Sequence, residues 1–99
     1  MNLNGYETIT TFWQDFTIAD VFGASAVEDT YNRAFAEWKH DYKFLTELVM
    51  VVNHKCWQHY HKGNEKLSRL YSDLYYKTHY YACDSLKGEE ASYYFRITD

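Results

Sequence analysis

Residues 42–63, YKFLTELVMVVNHKCWQHYHKG, decide the fold. Leu45, Leu48, Val49, Val52, Cys56 and Tyr60 recur at three- and four-residue intervals, the period of a helix with one apolar face. The spacing predicts a helix from Tyr42 to about Lys62, with Asp41 able to cap its start and Gly63-Asn64 making the turn that ends it. Phe44 and Val51 widen the stripe on one flank. Met50 and Trp57 lie well away from its middle, so more than one neighbour must cover this central helix.

The pattern resumes after Asn64. Leu67, Leu70, Tyr71, Leu74, Thr78, Tyr81, Ala82 and Ser85 define the inner face of a following helix that extends to Gly88, so the two segments form a long hairpin. Upstream, Val27, Tyr31, Ala34, Phe35 and Trp38 make the cleanest amphipathic stripe, continued by Tyr42. Ser25-Ala26-Val27-Glu28 fits a capping box at the start of that helix, which is expected to end near His40, with Asp29 and Arg33 spaced for an i,i+4 pair. A shorter first helix is expected from Thr10 or Thr11 to Phe22-Gly23, docking through Phe12, Phe16 and Ala19. Residues 1–9 carry no periodic signal. The end, Ser92-Tyr93-Tyr94-Phe95-Arg96-Ile97-Thr98-Asp99, is β-branched and aromatic and reads as extended, folding back along the fourth helix to bring Tyr94 near Tyr75 or Tyr76. The expectation is an all-α single domain over residues 1–99: four helices, the first short, with an extended aromatic C-terminal tail.

Four glycines and no proline leave the helices uninterrupted. The longest apolar run, Leu48 to Val52, falls far short of the ~20 residues of a membrane span, so no membrane partner is expected. Two cysteines, Cys56 and Cys83, and a start without basic or long apolar regions point to the cytoplasm. Aromatic residues make up 20% of the chain and eleven are tyrosines, whose apolar body and wet tip suit half-buried surfaces and interfaces.

Charge is unevenly spread. Glu7, Asp15, Asp20, Glu28, Asp29 and Glu37 face only Arg33 in the first 37 residues, whereas Lys55, Lys62, Lys66 and Arg69 face only Glu65 across the hairpin elbow. Such polarity can steer a partner or align two copies head to tail.

The run Thr11-Phe12-Trp13-Gln14-Asp15-Phe16, followed by Tyr31-Asn32-Arg33-Ala34-Phe35-Ala36-Glu37-Trp38-Lys39, resembles small uncharacterised helical proteins carried on mobile elements of gut anaerobes. The resemblance covers most of the chain and implies an accessory role, with no activity to transfer.

The chemistry-bearing residues do not converge. Cys56 and His59 are spaced i,i+3 and His79 and Cys83 i,i+4, but hairpin register separates the pairs by roughly 12–18 Å, against a metal bond of ~2 Å. Glu37 and His40 have the spacing of a di-iron helix without the required second copy. Ile18 to Ser25 has the small residue and glycine of a helix-turn-helix, yet Glu28-Asp29 would open its recognition helix against phosphates. No catalytic residue, metal or cofactor is therefore expected. The off-stripe apolar residues point instead to a non-enzymatic protein-interaction or regulatory module, binding another protein or itself through Met50, Trp57, Tyr76, Tyr80, Tyr94 and Phe95. The alternative is DNA or RNA binding at the elbow, where Trp57 and Tyr60 interleave with Lys55, Lys62, Lys66 and Arg69.

Overall fold

A computed structural model describes residues 5–98, with side chains from residue 10 onward; Met1–Asn4, read above for a leader, lie outside the described residues. Five helices follow one another: α1 (Gly5–Phe22), α2 (Ala24–Trp38), α3 (Tyr42–His61), α4 (Glu65–Ser85) and α5 (Gly88–Thr98). No strand occurs among the described residues.

The turns follow from local chemistry. At the elbow, Gly63 donates to the Tyr60 carbonyl at 3.1 Å and Asn64 to the His59 carbonyl at 2.9 Å, the two bonds of a Schellman motif. That motif requires a left-handed residue, and Gly63 supplies it at φ 76°. Asp41 caps α3 as expected, accepting from the amides of Lys43 and Phe44 at 3.1 and 3.2 Å.

The expected capping box does not form. Gly23, at φ 107°, ends α1 by donating to the Ala19 carbonyl and begins α2 by accepting from the Val27 amide, so a single residue joins the helices. This conformation starts α2 two residues earlier than a Ser25 cap would allow, and Ser25 lies exposed within the first turn. Helix α1 also starts earlier than the threonines suggest. A hydroxyl residue marks a possible start, but it does not stop a helix whose hydrogen-bond ladder continues upstream.

The C-terminal segment is the larger correction. It is the helix α5 and not an extended tail, because tertiary burial outweighs a β-propensity that is only a weak preference. Glu89 and Glu90 in its first turn and Arg96 in its last also complement the helix dipole. Helix α5 leans mainly on α3 and less on α4. Tyr94 is fully buried among Leu45, Val49, Ala82 and Leu86, with Tyr75 against the same cluster as expected. Tyr76, Tyr80 and Cys83 stay exposed, so the segment does not cover the strip assigned to it.

The main core lies between α1, α2, α3 and α4, built from Phe12, Phe16, Val27, Tyr31, Leu48, Val52, Tyr71 and Leu74. Leu70, expected at its centre, is only partly buried against it. On α3 the buried face rotates toward Val51, Lys55 and His59, because α1 packs there; Tyr60, read as inward, is 62% exposed. Among the described residues no helix is long and apolar enough to cross a membrane.

Candidate functional site

Helices α1, α3 and α4 meet on a largely, though not fully, buried carboxylate, Asp20. Asp20 Oδ2 accepts from Lys55 Nζ at 3.1 Å and His59 Nε2 at 2.9 Å, and Oδ1 accepts from the Tyr71 hydroxyl at 2.5 Å. Lys55 is 1% exposed; its remaining donors reach Thr17 Oγ1 at 2.7 Å and Gln58 Oε1 at 3.2 Å, and its ammonium sits 4.2 Å from the centre of the Trp13 ring. The Asn64 side-chain amide lies 3.4 Å from His59 Nδ1, on the ring edge away from Asp20. Burial, and then the hydrogen bond and charge of Asp20, raise the Tyr71 phenol far above the ordinary tyrosine range.

Every strong donor and acceptor in this cluster is occupied by another member, and none of Asp20, Lys55, His59 or Tyr71 lines any of the three clefts described here. The arrangement clamps α1 to α3 and α4. It also removes Lys55 from the proposed nucleic-acid face: the residue points inward from α3, and its charge is matched by Asp20.

Lys62, Lys66 and Arg69 are exposed at the elbow, where Arg69 pairs with Glu65. Glu28 and Asp73 share a shallow cleft with Lys66 and Arg69, further offsetting the positive charge. Trp57, 53% exposed, meets Tyr60 edge-on at 5.6 Å and stacks on His61 at 6.0 Å, forming an aromatic cap over the end of α3.

The other interaction candidates separate into two groups. Tyr94 is withdrawn as a contact residue, because its ring fills the α3–α5 core and its hydroxyl lies 2.7 Å from His79 Nδ1. Met50 is half-buried beside Ile97 and Thr98 of α5. Tyr76 and Tyr80 remain exposed, with rings stacked at 6.1 Å, and Phe95 is exposed beside His79. The two Cys/His pairs make separate contacts: Cys56 bonds to Ser68 while Cys83 lies 3.6 Å from His79. Among the described residues no three His, Cys, Asp or Glu side chains form a group able to hold a metal ion.

A concavity of about 660 Å³ was not read from the sequence. It runs along the outer side of the α1–α2 hairpin over a floor that includes Phe12, Ala19, Ala26, Ala34 and Trp38. Asp15, Asp29 and Glu37 stand on its rim against Arg33 alone. Ile18 and Phe22, 60% and 78% exposed, carry the apolar lining out to solvent near the Gly23 turn. Arg33 approaches Thr30 and forms no ion pair with Asp29, so the expected i,i+4 bridge is not made and Asp29 keeps its charge for the groove. The signal was present in Ile18-x-x-x-Phe22, an apolar pair one turn apart on the side of the first helix away from Phe16.

Comparison with protein-family models, curated proteins and solved structures found no match.

Proposed function

We propose that this chain is a non-enzymatic protein-interaction module whose docking surface is the α1–α2 groove. One observation carries the reading: apolar floor residues and a mostly acidic rim coincide with two large side chains, Ile18 and Phe22, that are largely exposed among the described residues. A single exposed leucine or valine is ordinary on a protein surface. A groove with apolar side chains on its floor and a mostly acidic rim is suited to an amphipathic helix, whose bulky residues meet the floor while its cations meet the rim. The buried clamp supports the same reading by fixing α1, and with it one wall of the groove, in a single position. The expected role of the C-terminal aromatic segment is reduced to Phe95, since Tyr94 serves the core.

The nucleic-acid reading is weakened by the loss of Lys55 to the interior and the pairing of Arg69 with Glu65. Few phosphate contacts remain, and the salt-dependent part of binding scales with their number.

The test is titration of isotope-labelled protein with a designed amphipathic peptide bearing leucines at i, i+3 and i+7 and lysines on both flanks. Amide shift changes confined to α1 and α2, weakened at least tenfold by Ile18→Glu with Phe22→Glu, are expected. Shifts elsewhere, or unaltered affinity in the variant, would overturn the assignment.

A further inference from the structure

The same molecule carries a complement to its own groove. The α3–α4 elbow offers Trp57, Tyr60 and His61 as a projecting aromatic cluster, followed by Lys62 and, in the first turn of α4, Lys66. Neither lysine is in an ion pair among the described residues, nor are Asp15, Asp29 and Glu37 of the groove rim. One surface is concave, apolar and acidic; the other is convex, aromatic and basic. We infer that the occupant of the α1–α2 groove is the α3–α4 elbow of a second copy of this chain, which makes the protein a head-to-tail self-assembling unit. This inference rests on the groove being the docking surface.

Interface chemistry supports the pairing. Trp and Tyr dominate the energetics of protein contacts because they bury much area with few rotatable bonds, and the exposed Trp57 and Tyr60 provide such a pair. Opposite charges around them set the approach and orientation more than the affinity. The two surfaces use different helices, so a copy whose groove is filled still has its own elbow to offer. Such a contact is either made twice, reciprocally, in a two-fold dimer or repeated head to tail as a ring or a chain.

The topology gives a decisive experiment. Ile18→Glu with Phe22→Glu blocks the groove and leaves the elbow intact; Trp57→Glu with Lys62→Glu does the reverse. All four side chains are exposed, so both variants should keep the wild-type melting temperature. Sedimentation of the wild type is expected to show mass rising with concentration to a dimer or beyond, and less so at high salt, where rim charges are screened. Each variant alone should be a monomer, and an equimolar mixture should give one 1:1 complex and nothing larger. If a variant unfolds, the charge-swapped pair Asp29→Lys with Glu37→Lys and Lys62→Glu with Lys66→Glu asks the same question: each is expected to be impaired alone. A wild type monomeric at millimolar concentration overturns self-assembly, as does a mixture that fails to pair while the wild type assembles. The peptide titration separates the two levels: a monomeric protein that still binds the peptide in the groove retains the docking surface and loses only the second copy as its occupant.

Discussion

The two ends of the α3–α4 hairpin are held by opposite means. At the elbow end, α1 is tied to α3 and α4 by a buried ionic cluster around Asp20, with four side chains converging on one carboxylate and its lysine partner. At the other end, α5 is fastened by the Tyr94 ring among Leu45, Val49, Ala82 and Leu86, with one hydroxyl bond to His79. Hydrophobic packing is non-directional and tolerates small shifts; a saturated buried ion pair does not, since its desolvation is repaid only in good geometry. The difference teaches that the groove-bearing α1 is positioned by an arrangement with one solution, whereas α5 is positioned by fit alone.

Alkaline pH should produce the largest effect and strike both ends. Burial is the leading cause raising the phenols of Tyr31, Tyr71 and Tyr94 above the ordinary tyrosine range, with Asp20 adding to the rise at Tyr71, Tyr75 and Cys83 adding to it at Tyr94, and the hydrogen bond with Thr78 opposing it at Tyr31. A raised folded-state value favours the protonated form, so its stabilisation is complete below the unfolded value of about 10 and is lost as pH climbs through the folded value. Phenolate absorbance should rise in two stages, with the second coincident with loss of helical circular dichroism. Full ionisation of every tyrosine in a still-folded protein would contradict this burial.

Asp20→Ala comes next, with an expected loss of about 3–5 kcal/mol, because it leaves Lys55 buried without an anion. Denaturant unfolding should register the loss globally. Replacing Asp20 by Asn and Lys55 by Met together should recover much of it, since an apolar replacement of a buried ion pair is often neutral. If the single variant loses under 1 kcal/mol, the cluster does not clamp α1.

Tyr94→Ala should cost about 3 kcal/mol, the lower part of the range for removing a buried aromatic ring. The loss should be local at first: amide exchange accelerates in α5 and in the facing part of α3 before it changes at the Asp20 end. Tyr94→Phe keeps the ring and loses the His79 bond, at about 1 kcal/mol. Equal acceleration throughout the chain in Tyr94→Ala would erase the contrast between the ends.

Glu47, between them on α3, should give the smallest effect. Burial raises its carboxyl above the ordinary glutamate range, and its Oε2 is buried without a hydrogen-bond partner. The folded state therefore favours the protonated acid, a stabilisation present below the unfolded value and lost as pH rises through the folded one. Glu47→Gln should stabilise the protein at pH 7 by up to about 1 kcal/mol and leave it unchanged near pH 3. A destabilised variant at neutral pH would show that the carboxylate has a favourable partner.

Periodicity alone determined that the chain is helical, where α3 lies, and that Leu48, Val52 and Leu74 enter the core, because helical spacing and apolar side chains are local properties. Gly63 and Asp41 were legible for the same reason: a turn or a cap involves only a few neighbouring residues. What α5 becomes is not local, since Tyr93 to Ile97 suit a strand until Leu45, Val49 and Ala82 offer Tyr94 a pocket that only a helix fills. Asp20 and Lys55 read as members of opposite surface charges although both sit on apolar stripes, Asp20 one turn after Phe16 and Lys55 one turn after Val51; that placement was the available signal for a buried pair. Recognising it required knowing that α1 crosses α3 there. The groove likewise exists only once Gly23 folds α2 back along α1, because a concavity belongs to two helices and is encoded in neither.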